Sequence, residues 1–301
     1  MRVFITGASG FVGGWLSRHL RDMGDEIFTM PDSIDLATPG AAISYITEAR
    51  PEVIYHLAAL THVGRSWEAP METFRVNVLG TIELFEIVRQ LPEVPRVVLI
   101  SSSEVYGSGD GSVFTEDAPL RPVTPYAASK VAAEFAGLQA YLGRKVEVVR
   151  ARPFNHVGPA QAEFFVVSAL AKRIAEAEQS GESEIAVGNL GAQRDFADVR
   201  DVVRAYRLLA SDGVPGEVYN VCSGIGRSVE SLFQTLVSLA KIEVTSKVDP
   251  ELFRPVDVPI LVGSARKITA LTGWAPSLSI EETLADTLTY WRTKVGKSTV
   301  V

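Results

Sequence analysis

The sequence predicts an α/β protein: a doubly wound parallel sheet joined to a smaller, mainly helical lobe. Three observations predict it. Short β-branched or apolar runs alternate with longer helical patterns through the first half, as parallel strands linked by crossover helices do. A glycine-rich turn, Gly7-Ala8-Ser9-Gly10-Phe11-Val12-Gly13, follows the first apolar run directly. After residue 152 the alternation breaks into helical patterns separated by Gly- and Pro-containing connections.

Taken in order, strands are expected near 2–6, 26–30, 53–57, 96–101 and 145–151, with Ile34-Asp35-Leu36 as a further strand stub. Helices are expected near 11–23, 40–49, 70–91 and 125–142. Right-handed crossovers put the loop after each strand at one edge, and ligands of such sheets lie outside the carboxyl ends of the strands. The glycine turn, Ala58-Ala59, Ser101-Ser102-Ser103 and Arg152-Pro153-Phe154-Asn155 all fall at those ends. Helical patterns near 163–180, 199–211, 228–240 and 281–293 form a lobe that closes over the site. Residues 1–152 thus read as a dinucleotide-binding domain of Rossmann type, completed by strands from about 185–221. Residues 153–301 are mainly the lobe.

At 301 residues, 47% of them apolar, the chain buries a substantial core. Its net charge of −7 argues against general affinity for nucleic acid or an anionic membrane, since neither contact gains from a basic patch or counterion release. A phosphorylated ligand needs only a few well-placed Arg residues and stays possible. The single cysteine, Cys222, cannot close an internal disulfide, which is compatible with a reducing cytoplasm. Its surroundings, Val218 to Cys222, read as a buried strand, so the thiol is structural rather than nucleophilic. A first strand starting at Arg2 leaves no room for a secretory leader, and no apolar run approaches the roughly 18–20 residues that span a bilayer. His19, His56, His62 and His156 show no metal-ligand spacing, and no metal is expected.

The glycine turn carries the first piece of chemistry. A strand, a glycine turn and a helix start seat a dinucleotide pyrophosphate on backbone N–H groups, with glycine allowing the close approach. Gly7, Ser9, Gly10, Phe11, Val12 and Gly13 form this cradle for a nicotinamide cofactor. From Asp22 to Ala49 there is no Lys or Arg, so a 2′-phosphate lacks its usual basic partner, while Asp32 is placed to accept from a free 2′-hydroxyl. NAD(H) is therefore favoured over NADP(H), with a base from another loop as the open alternative. The plainer reading of Pro31-Asp32 is a turn.

Tyr126 and Lys130 supply the second piece. They stand at i, i+4 near the start of a helix, behind Thr124-Pro125. A neighbouring ammonium favours phenolate and draws a tyrosine pKa down from about 10 towards neutrality. The phenol then serves as a proton donor or acceptor. In isolation such a pair is a common accident of exposed helices. It gains weight because Ser101-Ser102-Ser103 ends the apolar run Val97-Val98-Leu99-Ile100 and presents a hydroxyl to the same substrate oxygen.

Taken together, Thr6-Gly7-Ala8-Ser9-Gly10-Phe11-Val12-Gly13, Asp35-Leu36, His56-Leu57-Ala58-Ala59, Asn77, Ser102-Ser103-Glu104-Val105-Tyr106-Gly107 and Tyr126 with Lys130 resemble an extended short-chain dehydrogenase/reductase acting on a nucleotide sugar. The resemblance implies that Ser102 polarises the substrate carbonyl and Tyr126 exchanges the proton. Lys130 would orient the nicotinamide ribose and lower the Tyr126 pKa. Asp35 and Leu36 would flank the adenine, Asn77 would support a proton relay or the local backbone, and Leu57, Ala58, Ala59 and Pro153 would line the cofactor. A homodimer, paired through the helix bearing the tyrosine and its neighbour, is expected by the same analogy.

The second half narrows the resemblance. Arg152 to Pro159, Val187-Gly188-Asn189-Leu190, Arg194 to Asp201 and Tyr219 to Gly224 are similar to the GDP-4-dehydro-6-deoxy-D-mannose reductases, which form GDP-D-rhamnose. Ser103, Glu104, Asn155, Val187, Arg194 and Arg254 would then bind the GDP-sugar, with Asn155 and the two arginines on its diphosphate. Without the resemblance, Arg194 and Arg254 read as surface ion-pair residues beside Asp195 and Asp257. Ala160 departs from the family pattern, which has glycine there. Glu104 leaves the reaction open, because in the related GDP-mannose 4,6-dehydratases a carboxylate there removes the C5 proton. Chain length, the missing basic residues after the second strand and the substrate-half motifs favour reduction. A nucleotide-sugar 4-epimerase and, outside enzymes, a non-catalytic dinucleotide sensor are the alternatives.

Overall fold

A computed structural model of the chain describes residues 1–109, 111–253 and 258–298. Strand β1 (Arg2–Thr6) leads into helix α1 (Phe11–Asp22), then β2 (Glu26–Phe28), α2 (Ile43–Ala49), β3 (Val53–His56), α3 (Val63–Glu68) and α4 (Pro70–Phe74). There follow α5 (Gly80–Val88), β4 (Arg96–Ile100), α6 (Pro125–Arg144) and β5 (Val148–Pro153). α4 and α5 form one rod joined through a π turn, Arg75–Leu79. α6 starts where Thr124 caps the Ala127 N–H and Pro125 takes the first helical position, where no donor is lost.

The second half adds β6 (Asn155–Val157), α7 (Val166–Ser180), β7 (Glu184–Val187), β8 (Gln193–Asp198), α8 (Val199–Asp212), β9 (Val218–Val221) and β10 (Gly226–Ser228). It ends with α9 (Val229–Ser238), β11 (Thr245–Val248), β12 (Ile260–Leu261), α10 (Arg266–Thr272) and α11 (Ile280–Ser298).

The central sheet has the order β2-β1-β3-β4-β5-β9 and is parallel throughout. Strand order reverses between β1 and β3, and the crevice above such a switch point is where α/β sheets bind ligands. Helices cover both faces. Leu16, Leu20, Val202, Val203 and Leu209 of α1 and α8 pack one side, and Ile46, Leu84, Val88 and Ala140 of α2, α5 and α6 the other. Strands enclosed on both faces read as continuous apolar runs, which is why Val97 to Ile100 shows no polar alternation.

Two expectations are corrected here. Ile34-Asp35-Leu36 forms no strand; Pro31 cannot donate to a ladder, and the Asp35 carboxylate accepts from the Ala37 N–H at 2.9 Å, which closes a turn instead. Of the stretch 185–221 only β9 joins the central sheet. β7 pairs with β11, and β8 pairs with β6, β10 and β12. β9 is buried at all four positions and suits a sheet covered twice, whereas β7 exposes one face. The second half also supplies α8 to the first body, so the two bodies interleave along the chain.

The lobe has its own core, where Ile174, Leu232, Phe233, Leu284 and Leu288 join α7, α9 and α11. A third cluster, Val105, Tyr106, Phe114, Phe154, Cys222 and Leu261, ties the lobe to the end of the sheet. Cys222 is buried there, and burial pushes its thiol pKa far up. Among the described residues no helix is long and apolar enough to cross a membrane.

Candidate active site

The glycine turn leaves β1 at the switch point. Gly7 has φ +74°, and a Cβ there would stand 2.9 Å from the Ala58 nitrogen. At Gly13 a Cβ would fall 2.2 Å from the Gly7 carbonyl oxygen. Both positions are closed to any side chain, so the turn keeps its backbone open to a ligand. A buried polar string fixes the floor. His56 bridges Thr6 Oγ1 (2.8 Å) and Thr81 Oγ1 (2.9 Å), and Thr6 Oγ1 accepts from the Ala58 N–H at 3.2 Å. Burial, with Lys130 adding to it, pushes His56 down to about 3, so it stays neutral.

β4 delivers the serines. Ser102 Oγ accepts from the Glu104 N–H at 3.2 Å and caps the 3-10 turn Ser103–Tyr106. Arg152 braces this turn from below: it grips Glu134 through two bonds of 2.9 and 2.8 Å and donates to the Tyr106 hydroxyl at 3.0 Å. α6 brings Tyr126 and Lys130 to the same place, both buried, where they line the cleft with Ser102. Burial pushes Tyr126 up to about 12; the Ser102 hydroxyl works against the rise and the Glu104 charge adds to it. Lys130 Nζ donates to the Ile100 carbonyl at 2.6 Å, and burial lowers it to about 8, with Glu134 opposing. The expected lowering of Tyr126 by Lys130 does not occur. Helical spacing makes the two neighbours, but the ammonium donates to the Ile100 carbonyl, and loss of water is the largest effect at the phenol.

One cleft of about 410 Å³ gathers these groups. Of the sequence-predicted residues, Gly7, Ser9, Gly10, Phe11, Val12, Gly13, Leu57, Ala58, Ala59, Ser102, Ser103, Glu104, Tyr126, Lys130, Pro153 and Asn155 line it. Asn77 does not. It sits buried on the π turn, where its carboxamide exchanges hydrogen bonds with Leu60 (2.7 and 3.1 Å) and donates to Ser129 Oγ at 2.9 Å. It braces backbone behind the site.

Asp32, Asp35 and Leu36 lie in an adjoining depression of about 340 Å³ with Ala58 and Arg75. Arg75, on the π turn, binds Asp35 at 2.5 Å and Glu72 through two bonds of 2.7 Å. Those bonds raise Arg75 and hold both carboxylates below their usual range. Ser9 donates to Asp32 at 2.7 Å. Inspection of residues 22–49 missed this cation because the π turn presents it from 40 residues beyond Asp35.

The far end departs most from expectation. Val187 is fully buried in the lobe core and off the cleft wall. Arg194 is buried too, and its guanidinium donates to the Gln193 and Pro259 carbonyls at 2.9 and 3.4 Å. Arg254 lies outside the described residues. Ser101, named in the sequence with Ser102 and Ser103, lines the cleft as well, and so do His156, Gln161, Phe165 and Tyr206, to which sequence inspection assigned no site role. The Ser101 and Tyr206 hydroxyls are buried there without a partner. The cradle that admits no Cβ, the unpaired hydroxyls and the Ser102–Tyr126–Lys130 cluster fit a nicotinamide dinucleotide. Among the described residues no acidic, His or Cys group is arranged to hold a metal ion.

This combination of switch-point cradle, serine–tyrosine–lysine cluster and second lobe defines an extended short-chain dehydrogenase/reductase of the nucleotide-sugar class. A family model described as GDP-mannose 4,6 dehydratase matches residues 31–287, and the chain belongs to that family. It is 34% identical over 299 residues to a GDP-6-deoxy-D-mannose reductase of Pseudomonas aeruginosa, covering 98% of each chain. It is 31% identical to a GDP-6-deoxy-D-talose 4-dehydrogenase of Aggregatibacter actinomycetemcomitans over 91% of this chain and 92% of the relative. The structure of RMD from Pseudomonas aeruginosa complexed with NADPH superposes with a TM-score of 0.90 at 34% identity, covering 97% of this chain and 98% of that one.

Proposed function

We propose that this chain reduces the C4 keto group of GDP-4-dehydro-6-deoxy-D-mannose to GDP-D-rhamnose with a reduced nicotinamide dinucleotide, NADH in preference to NADPH. The observation that carries the reading is the gathering of Ser102, Tyr126 and Lys130 on one cleft with the glycine cradle, Tyr126 being a buried phenol pushed up to about 12. A phenol at that value is protonated at every physiological pH, which makes it a donor. Its proton goes to O4 as C4 becomes a carbinol carbon, and solvent restores it.

When bound, the nicotinamide supplies the hydride to C4. Ser102 Oγ donates to the carbonyl oxygen and, in a cleft emptied of water, favours the developing alkoxide. Lys130, fixed by the Ile100 carbonyl, would hold the nicotinamide ribose with its remaining N–H groups. Gly7 to Gly13 hold the pyrophosphate. Ser103 and Glu104 contact the sugar, while Asn155, Arg194 and Arg254 act on the GDP diphosphate. Glu104 disfavours phenolate at Tyr126 and so keeps the donor loaded.

The NADH preference rests on the rim. Arg75 is already paired with Asp35 and Glu72, and Asp32 lies in the same depression with no cation bonded to it among the described residues, so a 2′-phosphate meets carboxylate charge while a 2′-hydroxyl donates to Asp32. A homodimer is proposed through α4–α5 and α6, where Phe74, Leu79, Ile82, Phe135 and Leu142 are exposed. One buried cysteine and a reductive reaction support a cytoplasmic location.

The test is nicotinamide consumption by purified protein offered the keto sugar with NADH or NADPH in parallel. Substrate-dependent oxidation, faster with NADH, is the expected result, with the product's C4 configuration read by NMR. Conversion of GDP-mannose to the keto sugar with no consumption would make Glu104 a C5 base and the protein a dehydratase.

A further inference from the structure

We propose that Gln161 is a further substrate-binding residue, its side-chain oxygen accepting a hydrogen bond from a hydroxyl of the hexosyl group in the cleft. The inference rests on the nucleotide-sugar reading above and adds a residue that reading does not use. Gln161 lines the cleft and is only 6% exposed. Its Nε2 donates to the His156 carbonyl at 2.8 Å, while its Oε1 is buried with no partner in the protein. A buried acceptor left unmade costs free energy, so it calls for a donor.

The protein offers none nearby. His156 Nδ1 lies 3.1 Å from the Phe154 carbonyl, which only accepts, so the ring proton sits on Nδ1. Burial keeps the ring neutral, and Nε2 is then an acceptor. The indole N–H groups that hold the surrounding loop are committed. Trp15 donates to the Pro159 carbonyl and Trp291 to Ser168 Oγ, each at 2.9 Å. Ser168 Oγ in turn donates to the Gln161 carbonyl at 2.6 Å. The loop is thus pinned from α1 and from α7, and Ala160 is held at φ +75° within it. A strained residue kept by so many bonds fixes where the next side chain points.

The donor must arrive with a ligand. The cofactor cradle comes from the β1–α1 and β3–α3 connections, whereas Gln161 shares the β6–α7 connection with Phe165, just beyond Asn155 of β6. A diphosphate has only acceptors; the ribose, guanine and carboxamide donors of the nucleotides are told apart from the hexose by titrating GDP and NADH separately. A hexose brings hydroxyls, and Gln161 Oε1 takes one of them.

Calorimetric titration of the full chain with GDP-mannose, GDP and NADH, each alone, tests this on wild type, Gln161→Leu and Gln161→Glu. Gln161→Leu should weaken GDP-mannose binding by roughly ten- to a hundredfold and leave GDP and NADH unchanged. Gln161→Glu keeps an acceptor but, like Gln161→Leu, gives up the bond to the His156 carbonyl, so it should lose clearly less GDP-mannose affinity than Gln161→Leu. Unchanged GDP-mannose binding in Gln161→Leu overturns the proposal, as does a loss confined to NADH. An equal loss for GDP and GDP-mannose in both variants would reduce Gln161 to a loop brace. A wild type that binds neither GDP nor GDP-mannose sinks the nucleotide-sugar reading itself.

Discussion

The two ends of the cleft hold cations that behave oppositely. At the floor, Lys130 is buried beside a carbonyl, and its pKa falls to about 8. At the rim, Arg75 is 39% exposed between two carboxylates, and its pKa rises. Lys130 has lost water without gaining a partner of full charge. Arg75 has kept most of its water and gained two. Loss of solvent therefore sets reactivity at the floor, while pairing sets only charge balance at the rim. Substitutions at the floor should be severe and those at the rim mild.

Tyr126→Phe strikes the floor hardest. It should lower kcat by about 10²- to 10⁴-fold with NADH affinity unchanged, measured by steady-state rates and fluorescence titration. Near wild-type turnover would remove Tyr126 from proton transfer.

Next comes pH. Activity should fall on the alkaline side with a midpoint near 8 as the Lys130 ammonium is lost, while Tyr126, near 12, does not titrate in the working range. Lys130→Arg should abolish that limb. The sign for stability is opposite. Because folding lowers the lysine pKa from its usual 10.5, the unfolded chain binds more protons between about 8 and 10.5. This group's contribution to stability therefore rises with pH across that window. A rate profile flat through pH 9 would put Lys130 outside the machinery.

At the rim, Asp32→Asn or Glu72→Gln should narrow the NADH-to-NADPH affinity ratio by no more than about fivefold, and less at high salt, because exposed pairs contribute roughly 0.2–1 kcal/mol. A change of a hundredfold would erase the contrast between the two ends. The smallest effect belongs to Ala160→Gly. Glycine relieves a left-handed alanine but loosens the unfolded chain, a net gain of about 0.5–1 kcal/mol, seen as a small rise in Tm.

Most of the floor was legible because its chemistry follows local spacing. Gly7 and Gly13 mark a turn whose geometry excludes Cβ, Ser102 ends an apolar strand, and Tyr126 and Lys130 stand one helical turn apart. The rim and the lobe were less so. Arg75 reaches Asp35 across 40 residues, and Gln161 matters through what its neighbours have already bonded. The glycine expected at residue 160 did signal a left-handed position, and that hint pointed to the right loop.

The sequence by itself determined the parallel α/β architecture, the glycine turn and the placing of Ser102, Tyr126 and Lys130, since each follows from short-range periodicity or a fixed helical offset. The tertiary structure alone decided the protonation of Tyr126 and Lys130, the place of Arg75, the departure of Val187 from the cleft and the unpaired oxygen of Gln161. Burial and pairing are properties of what surrounds a group, and those surroundings come from segments far apart in the chain.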